Sequence, residues 1–213
     1  MNKDIDVSSL KIDLYSDRSV RSDRSVRDFT ADVAQKDGRM WLSNVSAEIA
    51  AEAAALAVKA LRKSGLEDAE MKNAEHFIEV LCKFFLKTVD QELQSRAEWD
   101  KEVAEGKSQA CIEGGVFAAC SEIDEVLYGM IKLIDMIESV SDKLAPEACA
   151  DAAAAVSIGR SAMECVKLQR YHYSTLISGD VNSRAMRREP ELAIADCTER
   201  YDELYKKLQN KLK

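Results

Sequence analysis

Two prolines and eight glycines are the only strong helix breakers in 213 residues. Proline removes a backbone donor and glycine loosens the chain, so a sequence this poor in both can run in long helices. Aromatic residues are equally sparse at 6%. The β-branched residues are scattered rather than alternating with polar ones, which argues against sheet. No apolar run reaches the ~18 residues that a membrane span requires. The start, Met1-Asn-Lys-Asp-Ile-Asp, lacks the apolar stretch of a secretory signal. Cys82, Cys111, Cys120, Cys149, Cys165 and Cys197 include no Cys-x-x-Cys pair. They read as reduced, small buried side chains rather than a disulfide frame or a zinc site. A cytoplasmic protein is expected.

A cationic face is missing as well. Lys and Arg number 30 against 38 Asp and Glu, a formal charge of −8. Binding nucleic acid needs a basic surface, so that partner class is excluded, whereas a local pocket could still hold a small anion. There is no Walker loop, dinucleotide fingerprint or Gly-x-Ser-x-Gly elbow. A di-iron bundle wants Glu-x-x-His twice. The two histidines, His76 and His172, are preceded at that spacing by Asn73 and Gln169. No metal and no tightly bound cofactor are expected.

The pattern that remains is helical. Residues 1–38 stand apart as a flexible or partly helical arm, in which Ser16-Asp-Arg-Ser-Val-Arg21 is duplicated as Ser22-Asp-Arg-Ser-Val-Arg27. From 39 to 213 a single bundle domain is expected. Val45, Ile49, Leu56 and Ala60 mark a first long helix, with Gly65 at its C-terminal cap and Ser64-x-x-Glu67 as a capping box for the next. Apolar steps of three and four then run through Phe77, Phe85 and Val89, and again through Val116, Ile123, Met130 and Ile137. Gly114-Gly115 lies inside the latter pattern, where it permits close packing better than phosphate binding. Pro146 suits the first position of a fourth helix, and Pro190 that of a fifth. The sequence thus predicts an all-α, antiparallel bundle of about five long helices.

The alanine-rich stretch from 146 to 177 carries one acidic residue near its start, Asp151, and ends in Gln169-Arg170-Tyr171-His172-Tyr173. A carboxylate on a packed rod needs a partner or a task. Gln169 lies eighteen residues on, five whole turns, so it shares the face of Asp151 at ~27 Å along the helix. The two cannot share one small site in one subunit. Arg170, His172 and Tyr173 could grip an aromatic or anionic ligand, or form an amphipathic interface.

Ala150-Asp151-Ala152-Ala153, the run to Leu168-Gln169, and Thr175-Leu176-Ile177 resemble the late-middle helix of the cyclodeaminase/cyclohydrolase family. That family comprises the deaminase half of formiminotransferase-cyclodeaminase and the methenyltetrahydrofolate cyclohydrolases. Its pattern is Ser-Asp-Ala-Gly, then alanine and leucine, then Leu-Asn-Val-x-x-Asn-Leu-x-x-Ile. Leu168 and Ile177 match without a gap, and Gln169 and Tyr173 replace the two asparagines. Residues 90–103 resemble the Asp-rich segment after the family's second helix. The family's Thr-Pro-Gly-Gly-Gly-Ser loop is replaced here by Gly38-Arg-Met-Trp-Leu-Ser43-Asn44-Val45-Ser46.

The resemblance implies a homodimer acting on a one-carbon tetrahydrofolate derivative, or a diverged member with another small ligand. Opening a methenyl bridge needs water aimed at an amidinium-like carbon and a carboxylate to take its proton. Asp151 is the matched candidate for that role. Ser43, Ser46, Gln169, Arg170, His172 and Tyr173 are candidate ligand-binding residues. Two bland readings stand beside these: Asp151 as a carboxylate favoured by its helix dipole, and the serines as helix caps. The alternative for the whole chain is an inactive bundle that serves as a binding or assembly module.

Overall fold

The computed structural model describes residues 26–34 and 42–213, apart from the side chains of 26, 27 and 92–96. The duplicated hexapeptide and most of the expected arm lie outside the described residues. Within that arm Val26–Val33 forms a short helix, α1. Five long helices follow: α2 (Leu42–Ser64), α3 (Ala69–Ala104), α4 (Gln109–Val140), α5 (Cys149–Ser174) and α6 (Asp180–Asn210). The fold is all-α, and no helix among the described residues is long and apolar enough to cross a membrane.

α2 packs against α3 and α5, α4 closes the opposite corner between the same two, and α6 lies along α5. The reason is on α2 itself. Ala47, Ala50, Ala53, Ala54 and Ala57 are all but completely buried, and methyl side chains let neighbouring backbones come close. α4 supplies the bulk, with Ile123, Leu127, Met130, Leu133 and Ile134 buried between α3 and α5. Two glycines set the spacing. A Cβ on Gly129 would stand 2.7 Å from the Phe85 ring, and one on Gly159 2.3 Å from the Met130 methyl. Gly115 likewise leaves room for the Trp99 indole, whereas Gly114 faces open space. Of the glycine pair, one permits close packing.

Three expected boundaries move. α3 is capped by Asp68, whose carboxylate accepts the Glu70 and Met71 amides, not by Ser64. Ser64 instead accepts the Ala145 amide at 2.9 Å and donates to the Ala60 carbonyl. Pro146 opens a single 3₁₀ turn, Pro146–Ala148, that runs straight into α5. Pro190 does not begin the last helix but sits buried inside α6. An interior proline costs about 3 kcal/mol. Burial of Met186 and Ile194 on either side, and bonds from Arg170 to Glu189 and from Tyr171 to Glu191, hold α6 continuous across it. Gly65, at φ +81°, does end α2 as its position predicts.

Candidate functional site

Asp151 stands in the first turn of α5. Lys59 Nζ lies 3.0 Å from its Oδ1 and Lys63 Nζ 2.5 Å from its Oδ2. The Lys63 hydrogen bond, with Lys59 adding to it, holds the carboxyl below the ordinary aspartate range. α2 therefore supplies the partner that the alanine-rich rod required. A carboxylate already clamped by two ammonium groups is a weak proton acceptor.

The same contact sets the register of α2 against α5. Ser64 meeting Ala145, and Lys59 and Lys63 meeting Asp151, make the pair antiparallel. Ser43 lies sixteen residues before Lys59, and Gln169 eighteen after Asp151. Both steps measure about 24–27 Å in the same direction, so Ser43 and Gln169 come to one level. α3 and α4 are registered independently by Phe85 on Gly129 and Trp99 on Gly115. Asp90 and Asp124, each five residues from the first of these contacts, are level too. Two direct contacts join the halves. Asn44 Nδ2 donates to the Val89 carbonyl at 3.0 Å, and Arg170 lies 3.4 Å from the Asp124 carboxylate.

One end of the bundle thus gathers polar groups from every long helix. Buried there are Ser43, Asn44 and Ser46 on α2, Thr88 on α3, Gln169, Arg170 and Ser174 on α5, and Ser183 on α6. Several are consumed locally: the Ser46 hydroxyl donates to the Ser43 carbonyl, Thr88 to Phe84, and Ser183 to Ser174. Others keep capacity in reserve. Asp90 Oδ1, Gln169 Nε2 and Arg170 Nε are buried without a hydrogen-bond partner among the described residues. A buried polar atom left so costs about 1–3 kcal/mol.

The charges at this end are tuned by burial. Glu48, on α2, has its carboxyl raised by burial first and by the negative charges of Glu52 and Asp90. Asp90 therefore faces the first turns of α2. Asp124 is pushed up to about 6, chiefly by burial and further by Glu189, against the opposing pull of Arg170. Such a group takes and returns a proton near neutrality. α2 begins at this end, at Leu42, and α3 continues fourteen residues past Asp90 to Ala104, ~21 Å of helix.

No protein-family pattern matches the sequence, and no curated protein matches it. Among solved structures, the formiminotetrahydrofolate cyclodeaminase of Thermotoga maritima superposes with a TM-score of 0.72. The match covers 89% of this chain and 96% of that one. The fold is cyclodeaminase-like. At 16% identity the likeness carries the architecture alone.

On this cyclodeaminase-like bundle the sequence-derived candidates fall into two groups. Ser43, Ser46, Gln169, Arg170 and Tyr173 are buried together at the polar end. His172 is exposed beside them, its ring 6.2 Å from that of Tyr173. Asp151 is at the far end of α5. Asn44, Asp90, Glu48 and Asp124 belong to the polar end but were not singled out from the sequence. A signal existed for two of them: Asp90 opens the polar stretch 90–103, and Asp124 follows Ile123 inside an otherwise apolar stripe.

Proposed function

We propose that this chain is a cyclohydrolase or cyclodeaminase acting on a one-carbon tetrahydrofolate derivative, with its site at the polar end of the bundle and a homodimer as its working form. What supports the reading is a set of buried polar atoms without a hydrogen-bond partner among the described residues, Asp90 Oδ1, Gln169 Nε2 and Arg170 Nε, on helices that the Asn44–Val89 and Arg170–Asp124 contacts bring level. The fold likeness to a cyclodeaminase supports it.

The chemistry fits the groups. A methenyl-bridged folate carries a cationic amidinium, which Asp90 and Glu48 would favour over a neutral ligand. Water attacking that carbon must lose a proton, and the Asp124 carboxyl, at about 6, is matched to accept it. Asp151, ~27 Å along α5, belongs to this site only if a second subunit brings it there; within one chain it ties α5 to α2. The rival reading, a binding module without catalysis, is favoured by the first turn of α2, where Leu42, Ser43 and Asn44 stand in place of a glycine loop.

Methenyltetrahydrofolate incubated with the purified chain, its absorbance followed with time, tests the proposal. Turnover is expected in the wild type, reduced at least about 100-fold in Asp90→Asn. Turnover lost in Asp151→Ala with the fold intact would place that carboxylate in a site shared across the dimer. Folate binding without turnover selects the module. Neither turnover nor a folate-induced thermal shift removes the folate reading altogether.

A further inference from the structure

Arg170 carries one charge and faces two carboxylates. It is 4% exposed on α5 and reaches both α4 and α6. Its Nη1 stands 3.4 Å from Asp124 Oδ2 on α4, and its Nη2 donates to Glu189 Oε2 on α6. A guanidinium grips a carboxylate most firmly with two parallel N–H bonds of about 2.7–2.9 Å. Asp124 has no such grip: it meets a single nitrogen beyond that range, while Arg170 Nε is buried with no hydrogen-bond partner among the described residues. The Asp124 side chain is 25% exposed, so water reaches it. The charges that bear on Asp124 come from Arg170 on α5 and Glu189 on α6, with none from α2 or α3 among the described residues. Cys120, one turn earlier on α4, faces Arg170 too, its sulfur 3.7 Å from that of Met186.

We propose that Glu189 is a positioning residue that acts through Arg170: by drawing the guanidinium toward α6, it leaves Asp124 loosely held and able to exchange a proton with water. With Glu189 uncharged, Arg170 is free to close on Asp124 through two nitrogens and hold it ionised. Loss of the negative charge itself works in the same direction, because Glu189 disfavours the ionised form of Asp124. Burial remains the larger cause of the raised Asp124 carboxyl, and Glu189 decides how far Arg170 offsets it. Only the use made of that proton rests on the folate reading.

Carbon-13 NMR of aspartate-labelled protein follows the Asp124 carboxyl directly, with Asp124→Asn identifying its signal. In the wild type it should titrate near pH 6. Glu189→Gln should lower that midpoint by about half a pH unit or more. Glu189→Asp, which keeps the charge, should restore most of the difference. The Glu189 side chain is 65% exposed, so both variants are expected to fold, with circular dichroism as the check. In an Arg170→Gln background, Glu189→Gln should have less than half of its effect. A Glu189 that merely braced α6 would alter melting and leave the midpoint alone. A midpoint unmoved by Glu189→Gln, or moved equally with and without Arg170, overturns the relay whether or not folate is turned over. Where methenyltetrahydrofolate is turned over, the acid limb of its pH–rate profile should follow the midpoint downward. Absence of turnover removes the folate reading and leaves the NMR result to decide the relay.

Discussion

Asp124 shows how one side chain writes a pH signature into the molecule. Its carboxyl is raised from 3.8 to about 6 in the folded protein, mainly by burial. Between these values the native state holds more protons than the unfolded chain, so stability falls as pH rises from about 4 to about 6 and is level above. Asp124→Asn should flatten that fall, measured as urea midpoints across the range. The glycines offer a second residue-scale contrast. Alanine at either site gains about 1 kcal/mol of helix propensity. At 159 the obstacle is the end of the flexible Met130 chain, whereas at 129 it is the fully buried Phe85 ring. Gly159→Ala should melt near the wild type, and Gly129→Ala should lose about 1–3 kcal/mol net. At this scale the sequence was partly legible. Gly65 could be read from its neighbours, whereas of the six free cysteines only Cys120, Cys149 and Cys197 are buried, and Cys82, Cys111 and Cys165 are half-exposed. Asp124 could not, because a raised carboxyl depends on what two other helices place around it.

At the scale of elements, the α2–α5 pair is fastened at one end by Asp151 with Lys59 and Lys63. The lysines are largely exposed, so each pair contributes no more than about 1 kcal/mol. Asp151→Ala is expected to lower stability by roughly that amount, with the loss shrinking in high salt. Since the folded carboxyl sits below its ordinary range, this stabilisation is present above the unfolded aspartate value and fades as pH falls through the folded one. Helix identities were legible because apolar steps of three and four are local, and so was the end at Gly65. Ser64 misled because its hydroxyl is taken by a residue 81 positions away. Pro190 misled because packing against α5 outweighs a local preference. That Ser43 and Gln169 lie level was beyond a single sequence: periodicity gives the face of each helix but not its register against another.

For the whole molecule, the distribution of polarity is the informative quantity. Among the described residues the buried polar side chains of α2, α3, α5 and α6 gather at one end, beside half-buried Asp124 of α4, while the opposite end is closed by alanine, Ser141 and surface ion pairs. A bundle built only for stability would have little reason to leave Gln169 Nε2 and Asp90 Oδ1 buried and unbonded. The expected homodimer can be checked directly by light scattering, where a mass near twice 23.7 kDa is predicted. The all-α class followed from the scarcity of glycine and proline. The polarity gradient did not, since it emerges only when helices of unequal length are laid side by side.

The reach of α3 beyond the start of α2 has a practical corollary. Trp99 sits on that cantilever, its indole seated on Gly115 across the hairpin, and the chain has one other tryptophan, Trp41. A Trp41→Phe protein would therefore glow from the hairpin tip alone. A ligand that settles at the head of α2 should shift that emission, making the beam an optical gauge of occupancy.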